Sequence, residues 1–286
     1  MANTPGTLWV VATPIGNLED LSPRAQRTLG DVGLVVCEDT RHSGRLLAAC
    51  GIRQRLASLH EHNESRVVPG LVERLAAGED LALVSDAGTP LLSDPGYRLV
   101  RAAADAGIAV RPVPGPSALL AALSVAGLPT DRFAFEGFLP AKGSGRRARL
   151  EALAGEPRTL IFFEAGNRLA AMLQDAGECL GPERPAVLAR ELTKLHETVY
   201  RGTLAALLER VREDADASRG EMVVVVSGRV RDLAGTGDRA LLGRLLPALL
   251  EELPPSRAVK LAARLSGVPR REVYELALRL GSPGVQ

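Results

Sequence analysis

The chain has 286 residues, 46% hydrophobic and 24% charged, with a formal net charge of +1, the composition of a globular protein long enough for two domains. That balance excludes a whole-molecule attraction to polyanions, so nucleic-acid binding has to come from a local basic patch. Cys37, Cys50 and Cys179 lie far apart with no C-x-x-C spacing, which argues against a disulfide framework or zinc site and fits a reducing cytoplasm. Met1 to Thr7 lacks a signal-peptide pattern and no apolar run reaches membrane-spanning length, so no membrane partner is expected.

The first half alternates strand and helix. Thr7 to Ala12 reads as a strand, followed by T-P-I-G-N-L and a helix capped by Ser22 with Pro23 at its first position. Leu34 to Cys37 is a second strand ending in E-D-T-R; a helix around Ser43 to Ala49, a strand at Leu56 to Leu59 and a helix from Ser65 to Ala77 follow. Leu81 to Val84 has the apolar run of a buried parallel strand and stops at S-D-A-G-T-P-L-L-S-D-P-G, where Asp94-Pro95-Gly96 is expected to cap a helix through Tyr97 and Val100. Ile108 to Val113 is a further strand, and Ser117 is placed to cap an apolar helix through Val125. The alternation predicts a mostly parallel sheet over a domain of residues 7–128.

A second α/β domain, residues 129–230, is expected to carry a mixed sheet, with strands at Arg132 to Phe138, Arg158 to Phe163, Ala186 to Arg190, Thr198 to Arg201 and Met222 to Ser227. Helices are predicted from Asn167 to Cys179 and from Thr203 to Glu213. Residues 231–286 read as a linker, Arg231 to Asp238, and three helices near Arg239 to Glu252, Ser256 to Leu265 and Arg270 to Leu280, the last two in a helix-turn-helix arrangement.

The unusual loops cluster at carboxyl ends of predicted strands, where parallel sheets form ligand clefts. They hold neither G-x-x-x-x-G-K-[ST] nor G-x-G-x-x-G, which disfavours a nucleotide triphosphate, a dinucleotide and an ordinary Rossmann-type methyltransferase. His60 and His62 stand two apart with no further ligand nearby, so no metal is expected; His62 and Asn63 are read as hydrogen-bonding groups at the cleft. Lys142 to Arg149 is read as a Gly-containing loop that begins a helix and presents Lys142, Arg146, Arg147 and Arg149 to RNA phosphate, with Arg41 as a further cation.

T-P-I-G-N-L-x-D, E-D-T-R, H-x-H-N, S-D-A-G-T-P-x-x-x-D-P-G, P-G-P, E-G-F-L-P-x-K and R-E-L-T-K stand in this order over roughly Gly6 to Gly228. Together they resemble the bacterial small-subunit rRNA 2′-O-methyltransferases of the tetrapyrrole-methylase superfamily. The resemblance implies a two-domain tetrapyrrole-methylase-like α/β fold, S-adenosyl-L-methionine as donor in the cleft, homodimerisation, and methylation of the ribose of a decoding-centre cytidine, cytidine 1402, in 16S rRNA or the small ribosomal subunit. Carried across by motif, the donor site would comprise Pro14, Gly16, Ser85, Asp86, Ala87, Gly88, Thr89, Ser117, Ala118, Phe163, Glu164, Leu192 and Met222. Tetrapyrrole methylases carry G-D-P where this chain has Gly88-Thr89-Pro90, which counts against a tetrapyrrole substrate. Transfer to a ribose oxygen needs a group to take the hydroxyl proton, and Glu38, Asp39, Glu164 and Lys194 are the candidates at predicted cleft edges. The alternatives are a tetrapyrrole C-methyltransferase of the same fold and a non-catalytic nucleic-acid-binding protein led by the helical tail.

Overall fold

Residues Leu81–Val84, all buried, form the middle strand of the first sheet in a computed structural model that describes residues 4–229 and 239–281. The predicted linker 231–238 falls outside the described residues. In chain order this half runs β1 (Thr7–Val11), α1 (Pro23–Asp31), β2 (Leu34–Cys37), α2 (Thr40–Ala49), β3 (Leu56–Ser58), α3 (Glu64–Ala76), β4 (Leu81–Val84), α4 (Tyr97–Asp105), β5 (Ala109–Val113) and α5 (Ala118–Ala126). The strands pair in parallel in the order β3-β2-β4-β1-β5. β4 can be apolar throughout because both faces are covered. Leu81 and Leu83 pack among α3 and α4 residues such as Leu71 and Leu99, while Ala82 and Val84 face Leu29 and Leu47 of α1 and α2. Truncating Leu83 to Ala would cost about 2–5 kcal/mol at such a site.

The second half runs β6 (Phe133–Phe138), α6 (Gly143–Ala152), β7 (Thr159–Ala165), α7 (Gly166–Leu180), β8 (Pro185–Arg190), β9 (Thr198–Thr203), α8 (Leu204–Glu213) and β10 (Glu221–Val226). Its sheet order is β6-β7-β10-β8-β9, with β6 and β7 parallel and the other pairs antiparallel. The short β8–β9 connection, with no room for a helix, forces that mixture. Helices α6, α7 and α8 cover one face. The other face is covered by α5, whose Leu119, Ala122 and Leu123 pack on Ile161, Val187 and Val225. A helix from the first half of the chain therefore closes the core of the second, and the described residues 4–228 form one compact unit.

Ser22, Ser117 and Thr203 cap α1, α5 and α8 through side-chain bonds to backbone N–H groups, the local chemistry that starts a helix. Two expectations are corrected. The Lys142 to Arg149 segment is helix α6 almost throughout, not a flexible loop, because Arg146 and Leu150 are buried on the same side of it. Asp94 is no helix cap: α4 starts from Gly96, at φ 120, with no side-chain cap.

The tail is a separate unit of α9 (Arg239–Glu252), α10 (Pro255–Ser266) and α11 (Arg270–Gly281), with its own core of Leu242, Leu246, Val259, Ala262, Val268 and Val273. Gly267 at φ 70 ends α10 and turns the chain into α11.

Candidate functional site

The loop after β1 and the loop after β4 are stitched together at the carboxyl edge of the first sheet. Thr13 N–H donates to the Gly88 carbonyl at 2.9 Å and Gly88 N–H to the Thr13 carbonyl at 3.0 Å. The Thr13 hydroxyl donates to the Ser85 carbonyl at 3.1 Å, the Ser85 hydroxyl to the Gly88 carbonyl at 3.0 Å, and the Thr89 hydroxyl to the Pro116 carbonyl at 3.1 Å. Gly88 takes φ 85, and a Cβ there would lie 3.2 Å from Ile15 Cγ2. The loop is therefore shaped by its own backbone, with glycine where a left-handed residue is needed.

A cleft of about 350 Å³ opens beside this loop. Asp86, Ala87, Gly88, Thr89 and Asp94 line one wall, Ser117 and Ala118 from the start of α5 its floor, and Phe163, Glu164, Leu192 and Met222 the wall from the second sheet. In the β7–β10 ladder Met222 stands directly opposite Glu164, which fixes the second wall. Ser85 is buried behind the loop rather than facing the cleft, and of the T-P-I-G turn it is Ile15 that lines it, with Pro14 and Gly16 outside the lining. Gly16 packs instead against the stem of Lys194, where a Cβ would stand 2.3 Å from Cγ.

Non-glycine residues with left-handed backbone are, among the described residues, Leu91, Ser93, Glu191 and Thr193, at φ 76, 70, 50 and 66. They fall in pairs on the two loops that border the cleft. Such strain costs on the order of 1–3 kcal/mol a residue and persists where surrounding packing imposes it, commonly around ligand sites.

The candidate bases separate on geometry. Lys194 Nζ lies 2.8 Å from Glu191 and 3.1 Å from Glu221; burial lowers its pKa, but the hydrogen bonds to these carboxylates outweigh it and the net shift is upward. It is a held cation, not a base. Asp39 caps α2 through Arg41 and His42 N–H groups, and the Arg41 side chain beside it holds its carboxyl below the usual range. Glu38 is exposed and outside the cleft lining, its pKa raised by partial burial and then by Asp86. Glu164 is 2% exposed and lines the cleft. Its Oε1 accepts from Ala165 N–H at 2.9 Å and lies 3.1 Å from Arg168 Nε, while Oε2 is buried without a hydrogen-bond partner; burial raises its pKa.

Asp94 is a cleft carboxylate that sequence reasoning had read only as a helix cap. Burial first, then the charge of Glu38, push its carboxyl up to about 6, against a partial offset from the Ser85 hydroxyl. The available signal was its place in one Gly- and Pro-rich loop with Asp86. Leu92, Phe138, Gly220, Glu221 and Val223 also line the cleft without having been picked out.

Other expected contacts fall elsewhere. Asn63 neither lines the cleft nor has a free amide: its Oδ1 accepts from His60 N–H at 2.8 Å and its Nδ2 donates to the Ser58 carbonyl at 3.1 Å, locking the turn before α3. His62 is exposed beside it, with the His60 ring edge-on at 6.0 Å. Arg146 is buried with Nε 2.6 Å from Asp175, so its charge is spent inside the protein and it offers no phosphate contact. Arg149 pairs with Glu136, and Arg147 shares Asp175 at 3.3 Å while staying half-exposed; Lys142 is exposed. Arg41 is exposed apart from its bond to Asp39.

The profile of the Tetrapyrrole (Corrin/Porphyrin) Methylases matches residues 7–208, and that of the RsmI C-terminal HTH domain matches residues 236–281. The chain is 58% identical over 275 residues to Ribosomal RNA small subunit methyltransferase I of Xylella fastidiosa, covering 95% of this chain and 99% of the relative. The proteins of that name are 55% identical in Pseudomonas aeruginosa, over 96% of this chain and 97% of the relative, and 50% in Escherichia coli O157:H7, over 96% of each. Among solved structures, cobalt precorrin-4 methyltransferase aligns with a TM-score of 0.57 at 15% identity, over 77% of this chain and 94% of that one. Uroporphyrin-III C-methyltransferase of Thermus thermophilus, complexed with S-adenosyl homocysteine, aligns at 0.52 and 22%, over 78% and 97%; at such identities the likeness carries the fold alone. With the profile matching residues 7–208 and relatives matching from end to end, the chain belongs to the ribosomal RNA small subunit methyltransferase I family.

Proposed function

We propose that this protein transfers a methyl group from S-adenosyl-L-methionine to the ribose 2′-oxygen of a decoding-centre cytidine, cytidine 1402 of 16S rRNA, acting in the cytoplasm as a homodimer on rRNA or the small subunit. The observation that carries the reading is the cleft beside β4, apolar and backbone-lined with a few carboxylates, in a chain that matches rRNA methyltransferases over 95% of its length.

The residues present fit the donor. Gly88 leaves open a space that a side chain would fill, and Asp86 and Asp94 line the same cleft. When bound, S-adenosylmethionine supplies a methyl group on a sulfonium, an electrophile that needs no metal. Ala87, Gly88, Ser117 and Ala118 would hold it through backbone groups, with Ile15, Leu192 and Met222 as apolar walls. Asp86 and Asp94 give the cleft the negative charge that a sulfonium and an ammonium require. Glu164 would take the hydroxyl proton: its pKa is raised by burial, its geometry is fixed by Ala165 and Arg168, and one oxygen remains uncommitted. Lys142, Arg147 and Arg41 are the exposed cations left for RNA phosphate.

The test is mass spectrometry of 16S rRNA from a strain lacking the gene, with and without the gene restored. A ribose methyl group that disappears and returns supports the reading; an unchanged methylation pattern sinks it.

A further inference from the structure

Phe138 is the last residue of β6, and its ring is 55% exposed while lining the same cleft as Gly88 and Asp94. In a regular strand residues 135 and 138 point to opposite faces, because side chains alternate with a period of two. Here the pairing with β7 slips between Phe135 and Gly137, and Gly137 takes φ 63, the left-handed glycine of a β-bulge. The extra residue turns both rings onto Phe163. Phe135 meets it edge-on at 4.8 Å between centroids and Phe138 at 5.7 Å. Phe163 is itself a cleft residue. Two packed rings thus brace a third whose face is open at the cleft mouth, beside the part-exposed Leu92.

An exposed phenylalanine forgoes the roughly 1.5–3 kcal/mol that burial would return, so folding alone does not account for a bulge that aims one outward. A braced aromatic face suits a planar, unstacked base, the element by which proteins recognise RNA sequence in single strands. Four residues on, Lys142 stands exposed at the start of α6, with half-exposed Arg147 beyond it, the charges that a nucleotide's phosphates require.

We propose that the Phe138 ring is the platform on which the target nucleobase stacks, holding that nucleotide's ribose over the donor cleft. The assignment rests on the RNA reading above.

The test uses the full chain as wild type and as Phe138→Ala, Phe138→Leu and Phe138→Tyr. Methyl transfer to small subunits that lack the modification is measured beside donor affinity by calorimetry and sedimentation velocity. Phe138→Ala and Phe138→Leu should each lower kcat/KM for subunits by about 5- to 150-fold, the range that base–aromatic stacking gives, and Phe138→Tyr should restore it. Donor affinity and sedimentation should stay at wild-type values. Full activity of Phe138→Leu assigns the position to apolar bulk and overturns the platform, as does full activity of Phe138→Ala. A donor defect as large as the activity defect puts the ring in the donor site, and altered sedimentation puts it between copies of the chain; either overturns the proposal. A wild-type protein that transfers nothing to subunits sinks the RNA reading itself, an outcome separate from all of these.

Discussion

Thr13 and Gly88, 75 residues apart, exchange both backbone hydrogen bonds, and the bridge ties together the two loops at the cleft. Valine at position 88 meets two obstacles: left-handed backbone costs a β-branched residue roughly 1–2 kcal/mol or more, and its Cβ would press Ile15 at 3.2 Å. Gly88→Val is expected to abolish S-adenosylmethionine binding in calorimetry while circular dichroism stays near wild type, since the loop lies outside the sheet.

Asp94 makes stability and donor affinity pull in opposite directions. Its folded-state carboxyl sits at about 6, above the ordinary 3.8, so the folded protein holds the proton more tightly and ionisation weakens the fold as pH rises between those values. Asp94→Asn is therefore expected to raise the melting temperature of the donor-free protein at pH 7.5 by about 2–4 °C, the shift that 1 kcal/mol gives in a chain of this class. The gain should vanish toward pH 4. Donor affinity should fall in the same variant, and in the wild type it should weaken as pH drops through about 6, because a cationic ligand favours the ionised carboxylate. Calorimetry from pH 5 to 8 tests both; a flat wild-type profile would remove Asp94 from the donor's field.

Glu164→Gln keeps the shape of the side chain and removes its basicity. If Glu164 takes the hydroxyl proton, single-turnover methyl transfer should slow by about 10²- to 10⁴-fold, with donor affinity changed far less. A loss of donor binding that matches the loss of rate would make it a binding residue only.

Arg146 in α6 and Lys142 just before it, a turn apart, should behave as different kinds of residue. Arg146→Ala leaves Asp175 buried with only the half-exposed Arg147, and the expected cost is about 3–5 kcal/mol of stability in urea unfolding. Lys142→Ala should leave stability as it was and reduce the slope of RNA affinity against salt by about one unit. A salt slope altered by Arg146→Ala in a fully folded protein would contradict the buried pairing.

What was legible in the sequence was local or periodic. Leu81 to Val84 is apolar without alternation, which only a strand covered on both faces requires, and Ser22, Ser117 and Thr203 announce helices because capping is settled within four residues. The cluster of glycine and proline loops at strand ends located the cleft for the same reason. What was not legible depends on groups brought together by the fold. Gly143 and Gly145 made the basic segment look like a loop, yet Arg146 finds Asp175 on α7, 29 residues away, and that pair lies within a helix packed on its neighbour. Asp94 looked like a cap because its burial, and after it the charge of Glu38 from the end of another strand, is invisible along the chain. Asn63 looked available until the turn it closes was seen.

The bulge at Gly137 also bears on how such a protein could diversify. Phe138, three residues after Phe135, shares a face with it only because one residue between them bulges out of the ladder. Inserting one residue between Gly137 and Phe138 would carry the phenylalanine one place along the ladder, to the opposite face, while the Thr13–Gly88 bridge, the floor from Ser117 and the wall from Met222 would be untouched. A single codon gained at this point would exchange the aromatic surface at the cleft mouth for another and leave the loops around Gly88 intact, so that a lineage could change what meets the cleft before changing the cleft itself.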